Sequence, residues 1–91
     1  EHDPVVLIEE DLGNGTYRFS ARMEVDYINE TYKLNLPEGE NYETLGGFIV
    51  HHTEEIPEKN GQVTIDGFKI LILEVSNTKI ELVQIQPIEE D

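Results

Sequence analysis

Cysteine is absent from this sequence of 91 residues, and basic residues are few, with six lysines and arginines against 20 aspartates and glutamates. The absence of cysteine excludes a disulfide framework, a thiol nucleophile and a cysteine-ligated zinc site. A formal net charge of −14 repels phosphate, which argues against binding of nucleic acid and against docking on an anionic membrane. The same charge favours cations and basic partner surfaces, although a well-solvated surface is its simplest interpretation.

Long apolar runs are also absent. No run approaches the roughly 20 residues that a membrane-spanning helix needs, so we expect no direct membrane insertion. The first residues, Glu1-His2-Asp3-Pro4, lack the basic and apolar regions of a signal peptide. Because the chain begins without methionine, we expect either a processed protein or a fragment of a longer one. Its length is that of one domain, and we expect residues 1–91 to form a single domain.

The first part of the sequence predicts a β-hairpin. Val5-Val6-Leu7-Ile8 is a short apolar run rich in β-branched residues, which is typical of a buried strand, and Glu9-Glu10-Asp11 ends it. Gly13-Asn14-Gly15 provides residues that tolerate positive φ in a turn. From Tyr17 to Met23 apolar and polar side chains alternate, which predicts a second, half-buried strand.

Two helices are predicted next. Val25, Ile28 and Tyr32 recur at the spacing of one helix face, and Asp26 is a candidate N-cap. A loop follows, and Thr44 can then cap a second helix. The residues on one face of that helix are Leu45, Phe48, Ile49 and His52.

The glycine pair Gly46-Gly47 lies in the first turn of the second predicted helix, where each glycine costs about 1 kcal/mol relative to alanine. We interpret this cost as a sign that another backbone approaches closely, with Gly47 against a neighbouring strand. The alternative is an anion site, because amides at a helix start can bind an anion. No lysine or arginine lies within ten residues after the pair, so we prefer packing.

The last third predicts three strands. Val63 and Ile65 alternate with polar residues, and Asp66-Gly67 is a strong hairpin signal. The run from Phe68 to Val75 is apolar on both faces at its middle, which predicts a central strand. The final strand changes phase near Leu82-Val83, which predicts a β-bulge or burial on both faces. The order ββ-αα-βββ predicts an α+β fold, in which an antiparallel sheet packs with two helices.

Several local patterns, in this order and spacing, resemble the transporter-associated domain of the CorC/HlyC type. Leu36-Pro37-Glu38 resembles a loop of that family, and Ile56-Pro57 followed by Gly61 resembles one of its turns. The segment from Tyr42 to Ile49 is the most specific match, since the family repeats tyrosine, acid, threonine, leucine and two glycines there. The structural motif residues that carry the resemblance are Tyr42, Thr44, Leu45, Gly46, Gly47, Pro57 and Gly61.

This resemblance implies a domain at the C-terminus of a bacterial, hemolysin-like membrane protein, after a membrane domain and a pair of CBS domains. Such proteins are associated with magnesium and cobalt tolerance or efflux. The membrane domain and CBS pair are then the expected partners, at the cytoplasmic face of the inner membrane. The resemblance also implies no assigned reaction and a fold similar to a subdomain of FAD-linked oxidases. The chain departs from the family at His51-His52-Thr53, where leucine or glutamate is frequent.

The sequence gives little evidence of a catalytic or metal-binding site. We expect no enzyme and no cofactor, because the nucleophile-elbow, phosphate-loop and zinc-protease patterns are missing. Weak magnesium or calcium binding has candidates in Glu9, Glu10 and Asp11 and in Glu54 and Glu55. Neither acidic run has the alternating spacing of a calcium-binding loop, so a solvated surface is the preferred interpretation.

Two functional hypotheses follow. The first is a regulatory or interaction module that transmits the state of the CBS pair in a membrane protein of ion transport. The alternative is a module that binds a small, nucleotide-like ligand, which only an analogy of fold suggests. An apolar pocket with convergent polar groups would favour the ligand, and an exposed apolar patch with an acidic rim would favour the interaction.

Overall fold

A computed structural model of the chain describes residues 7–88, and the predicted α+β fold is confirmed. The elements follow the order ββ-αα-βββ. Their bounds are Glu9–Gly13 (β1), Thr16–Ser20 (β2), Val25–Tyr32 (α1), Leu45–Thr53 (α2), Gln62–Ile65 (β3), Phe68–Val75 (β4) and Ile80–Pro87 (β5). Asp66 and Gly67 have φ angles of 54° and 85°, as the turn that joins β3 to β4 requires.

The five strands form one antiparallel sheet in the order β1-β2-β5-β4-β3. β5 takes the centre, and β4, which the sequence predicts as central, lies beside it with a partner on each side. The predicted irregularity in the last strand is confirmed. Leu82 faces Glu74 whereas Ile80 faces Val75, so β5 carries one extra residue, Glu81, beside the predicted position. Val83 faces Ile72, which leaves Leu73 of β4 as a second extra residue.

The two helices and one face of the sheet enclose a single apolar core. Phe19 of β2, Ile70 of β4 and Val83 of β5 share that face and are fully buried. Ile28 of α1 and Phe48 of α2 are fully buried in the same cluster. Burial of side chains of this size stabilises the fold by about 1.5–3 kcal/mol each, so these contacts fix the position of both helices on the sheet.

The first strand begins later than the sequence predicts. Of the predicted strand, Val5 and Val6 lie outside the described residues, while Leu7 precedes β1 and is 46% exposed. Glu9-Glu10-Asp11, predicted to end the strand, instead forms its first half. The reason is that, within residues 7–88, β1 pairs with β2 alone and lies at the sheet edge, where all its side chains are exposed and charge is tolerated.

The start of α1 also differs from the prediction. Glu24, and not Asp26, occupies the N-cap position, and its side chain makes no capping hydrogen bond. Backbone contacts with the segment before α2 replace the cap. The Val25 amide donates to the Glu43 carbonyl at 2.9 Å, and the Leu45 amide donates to the Met23 carbonyl at 2.8 Å. The two helices therefore begin side by side, joined by their own backbones.

Candidate functional site

The joined helix starts form one wall of an acidic cleft of about 270 Å³. We define the acidic cleft by its four carboxylates, which are Glu24, Asp26, Glu38 and Glu43. The rest of the lining comes from Val25, Gly39 and Tyr42. Carboxylates near a helix N-terminus are stabilised by the helix dipole, so this concentration of negative charge is compatible with the stability of the fold.

Asn29 holds the loop that carries one side of the acidic cleft. Its side-chain amide donates to the Leu36 carbonyl at 2.8 Å and to the Glu38 carboxylate at 2.9 Å. Its side-chain oxygen accepts from the Leu36 amide at 2.7 Å. Three hydrogen bonds from one side chain thus fix the Leu36-Pro37-Glu38 loop against α1. The sequence pattern contained this asparagine but gave no sign that it clamps the loop.

The most specific motif of the sequence builds the start of α2. Thr44 is the N-cap, as predicted, and its hydroxyl accepts from the Gly47 amide at 3.1 Å. The Tyr42 hydroxyl donates to the Pro37 carbonyl at 2.9 Å, and its ring lies 5.5 Å from the Phe48 ring. Leu45 is fully buried. These contacts join the loop, the cap and the core, which is a structural role.

The close approach inferred for the glycine pair occurs at Gly46, so the inference that Gly47 faces a strand is wrong. A Cβ at Gly46 would lie 3.1 Å from the Ala21 Cβ and 3.7 Å from the Ile80 carbonyl oxygen of β5. A Cβ at Gly47 would meet Tyr42 and Thr44 instead, each at 3.3 Å. The physical reason is the direction of the helix turn, which points Gly46 at the sheet and Gly47 along the preceding loop.

Gly61 occupies a second place of close approach. Its amide donates to the Glu58 carbonyl at 2.9 Å, and its carbonyl accepts from the Ile72 amide at 2.8 Å. A Cβ there would lie only 2.9 Å from the Glu58 oxygen, so a side chain would displace the turn. Pro57, which is half-buried, directly precedes this turn.

The acidic residues proposed as metal candidates point to different partners. Glu9 accepts hydrogen bonds from the hydroxyls of Tyr27 and Tyr32, both at 2.7 Å. Glu10 forms an ion pair with Arg18 at 3.2 Å, across the strand pair. Asp11 accepts from the amide of Gly13 at 2.9 Å.

The second acidic run lies at the far end of α2, where Glu54 is the C-cap residue and Glu55 follows it. Within residues 7–88, no group of three or more histidine, aspartate or glutamate side chains is arranged to hold a metal ion. The candidates therefore do not converge on a common site in this part of the chain.

The Glu9 cluster has perturbed titration behaviour. The hydrogen bonds from Tyr32 and Tyr27 lower the pKa of Glu9 below its ordinary value, since they stabilise the carboxylate. The same hydrogen bond from Tyr32 to Glu9 raises the pKa of Tyr32 to about 12. The sequence did not reveal this cluster, because it joins α1 to a strand that the sequence placed too early.

Neither α1 nor α2, the helices within the described range, is long and apolar enough to cross a bilayer.

Comparison with known sequences gives one family match. The profile of the transporter-associated domain named CorC_HlyC matches residues 10–89. Among curated proteins, the polyamine export protein of Haemophilus influenzae is 32% identical over 54 residues, which are 59% of this chain and 12% of that protein. A UPF0053 protein of Synechocystis is 25% identical over 93 residues, which cover 98% of this chain and 20% of that protein. The chain thus spans a minor part of these relatives.

Solved structures share the fold. The CorC_HlyC transporter-associated domain of Nitrosomonas europaea has a TM-score of 0.76 and 26% identity, over 93% of this chain and 99% of its own. A region described as associated with an Mg2+ and Co2+ transporter, from Neisseria meningitidis, has a TM-score of 0.78 and 18% identity. The match covers 88% of this chain and 98% of that one. The transporter-associated domain of a CBS-domain protein from Porphyromonas gingivalis has a TM-score of 0.69 and 22% identity. The match covers 89% of this chain and 98% of that one.

Proposed function

Since the chain belongs to the CorC/HlyC family of transporter-associated domains, we propose that it is a non-catalytic regulatory or interaction module of a larger CBS-domain membrane protein. The observation that carries this proposal is the family match over residues 10–89, combined with relatives of which the chain spans only 12% and 20%. In this proposal residues 1–91 form one domain. It contacts the CBS pair or the membrane domain at the cytoplasmic face of the membrane.

The cargo that we propose for the parent protein is a cation. Magnesium and cobalt follow from the family resemblance, and the Neisseria structure is described in those terms. The Haemophilus relative is named for polyamine export, and polyamines are also cations. A charge of −14 on this chain suits a place near a cation pathway, because it raises the local cation concentration.

The acidic cleft is the surface that we propose for docking on the parent protein. Its four carboxylates, Glu24, Asp26, Glu38 and Glu43, would face a basic surface of the CBS pair or the membrane domain. A docked domain shifts a transport equilibrium only by its different affinity for the two states. Couplings of this kind are typically about 1–3 kcal/mol, or roughly 5- to 150-fold, which transport measurements resolve.

The alternative of a nucleotide-like ligand receives no support from the acidic cleft, because its carboxylates would repel phosphate groups. The start of α2 does not supply an anion site either. The amides of Leu45, Gly46 and Gly47 donate to the Met23 carbonyl, the Ala21 carbonyl and the Thr44 hydroxyl, so all three have protein acceptors.

The test compares ion flux and metal tolerance in cells that carry the parent protein with and without residues 1–91, at matched membrane abundance. We expect deletion to change transport or its response to CBS ligands while membrane insertion stays intact. The substitutions Glu24→Gln, Asp26→Asn and Glu38→Gln together should reproduce part of that change.

The matched control is Glu54→Gln, Glu55→Gln and Glu58→Gln, which removes the same charge outside the acidic cleft and should leave transport unchanged. Unchanged flux in the deletion would contradict the regulatory function. Equal effects of both triple variants would contradict docking through the acidic cleft, while leaving a regulatory function intact.

A further inference from the structure

An apolar groove opens beside the start of α2, and it shares no lining residue with the acidic cleft. Its volume is about 580 Å³, against about 270 Å³ for the acidic cleft. Ala21 and Ile80 form its floor and are 3% and 2% exposed. The apolar side chains that line it are Ala21, Val50, Ile56 and Ile80. We call this feature the α2 groove.

The glycines of α2 give the groove its shape. Gly46 and Gly47 line one wall, so backbone takes the place of side chains there. Val50 and Ile56 continue the wall and are only half-buried. The α2 groove therefore offers an apolar surface wide enough for the side chain of another polypeptide.

The charge of the α2 groove is opposite to that of the whole chain. Arg22 and Lys79 lie at its rim, and none of the described residues that line it is acidic, although 20 of the 91 residues in the chain are. Across residues 7–88, ion pairs join Arg18 to Glu10 and Lys59 to Glu74, and none involves Arg22 or Lys79. Neither rim cation is therefore held in an ion pair by the residues that the structure describes, although Arg22 also lines a second pocket with Glu9 and Glu24.

A free inorganic anion is a poor match for the α2 groove. The amides at the start of α2 already donate to protein acceptors, as described above, and the floor is apolar. An anion held there would lose hydration without gaining backbone donors. The matching chemistry combines an aliphatic side chain for the floor with carboxylates for the rim.

We propose that the α2 groove binds an extended acidic segment of another polypeptide, with an aliphatic side chain over Ala21 and Ile80 and carboxylates at Arg22 and Lys79. This surface goes beyond the proposed function, since it would take a partner of opposite charge from the one that faces the acidic cleft. A second copy of this chain is the competing occupant, but two chains of charge −14 repel each other far more strongly than one chain repels a short segment with a few carboxylates.

The binding test is an NMR titration of the full chain with synthetic peptides. The probe is a ten-residue peptide in which leucine pairs alternate with aspartate pairs. One control peptide carries lysine in place of aspartate, and another carries serine in place of leucine. We expect the probe to shift the amide signals of Gly46 and Val50 with a Kd below about 1 mM. The serine control should shift these two signals only at concentrations at least about tenfold higher, and the lysine control should shift signals of the acidic cleft instead of these two.

Variants of the chain locate the binding surface. Arg22→Glu with Lys79→Glu should weaken probe binding by about tenfold or more. Lys33→Glu with Lys69→Glu makes the same change in net charge outside the groove and should alter binding by less than about twofold. Urea melts of both double variants confirm that each is folded.

Three outcomes would overturn the proposal. The first is a probe that does not bind or that shifts signals of the acidic cleft instead. The second is an equal loss of binding in both double variants, which would indicate general electrostatics. The third is a concentration-dependent dimer in sedimentation that disappears only in the Arg22/Lys79 variant, which would make a second copy the occupant.

Discussion

Glu9 is the residue through which α1 and the edge strand β1 are most directly joined. It accepts from Tyr27 and Tyr32, which lie five positions apart on α1, and the Tyr32 ring also packs 5.2 Å from Phe19 in the core. An exposed carboxylate therefore orients two phenols, one of which extends the core. Because the hydrogen bonds favour the ionised carboxylate and the neutral phenol, this contact makes stability depend on pH at both ends of the scale.

We expect the hydrogen bond between Glu9 and Tyr32 to stabilise the fold over the pH range in which the Glu9 carboxylate is ionised and the Tyr32 phenol is neutral. The folded pKa of Glu9 lies below its unfolded value, so its contribution is present above that unfolded value and is lost as pH falls through the folded pKa. The folded pKa of Tyr32, about 12, lies above the unfolded value of about 10. Its contribution is therefore complete below about pH 10 and is lost as pH rises towards 12.

The measurement is an ultraviolet titration of the tyrosines in the native chain and in Glu9→Gln. One tyrosine of the native chain should titrate near the pKa of about 12, and the substitution should return it towards its ordinary value. Tyr17→Phe serves as the control and should leave the pKa of Tyr32 raised. Tyr17 contacts the Tyr32 ring, but the hydrogen bonds to Glu9 come from Tyr27 and Tyr32. An unchanged alkaline titration in Glu9→Gln would contradict this account.

At the scale of elements, α2 is positioned by the contact between its first turn and the end of β2. The Gly46 amide donates to the Ala21 carbonyl at 2.8 Å, and the Ala21 amide donates to the Glu81 carbonyl of β5 at 2.9 Å. Ala21 is thus fixed between the helix and the central strand. At Gly46 the backbone of α2 therefore lies directly against the residue that follows β2.

We predict that Gly46→Ala destabilises the fold, although alanine is the better helix former by about 1 kcal/mol. The new Cβ would lie 3.1 Å from the Ala21 Cβ, which its hydrogen-bonded backbone prevents from moving away. Overpacking of this kind typically costs about 1–3 kcal/mol, so we expect a net loss of stability in urea melts.

The neighbouring Gly47→Ala is the matched control for that substitution. Its Cβ would approach the Thr44 hydroxyl and the Tyr42 Cβ at 3.3 Å, which is less tight than the 3.1 Å contact at Gly46 and involves side-chain atoms only. We expect its free energy of unfolding to stay within about 1 kcal/mol of the native value. If Gly46→Ala is as stable as Gly47→Ala or more so, close packing does not explain the first glycine.

The elements that the sequence predicted well are those whose signal is local. Thr44 caps α2 through a bond to a residue three positions away, and Asp66-Gly67 forms its turn from its own backbone preferences. The errors concern features that depend on distant partners. β1 is charged because it lies at an edge, and α1 starts at Val25 because the Glu43 carbonyl accepts its amide proton. The acidic cleft also depends on this long-range pairing and was not predicted.

Over the whole molecule, charge is distributed unevenly between two surfaces. The acidic cleft gathers Glu24, Asp26, Glu38 and Glu43 at the joined helix starts, while the α2 groove carries Arg22 and Lys79 without a lining carboxylate. Such a separation lets one small domain contact two partners of different charge. Divalent cations are the simplest ligands that could compete for the acidic surface.

We predict that the chain binds magnesium and calcium only weakly, with a Kd of about 1 mM or higher at an ionic strength of roughly 0.15 M, where exposed charges are screened beyond about 8 Å. Hard cations need six or more oxygens in a shaped loop, and the described residues bring no three metal-ligating side chains together. Isothermal calorimetry measures the affinity in the native chain. Three variants separate the acidic surfaces: Glu9→Gln with Glu10→Gln and Asp11→Asn, Glu54→Gln with Glu55→Gln, and the acidic-cleft triple variant. Because the binding is expected to be diffuse, each variant should weaken it only slightly. A micromolar Kd that one of them abolishes would contradict the prediction and would locate a true cation site.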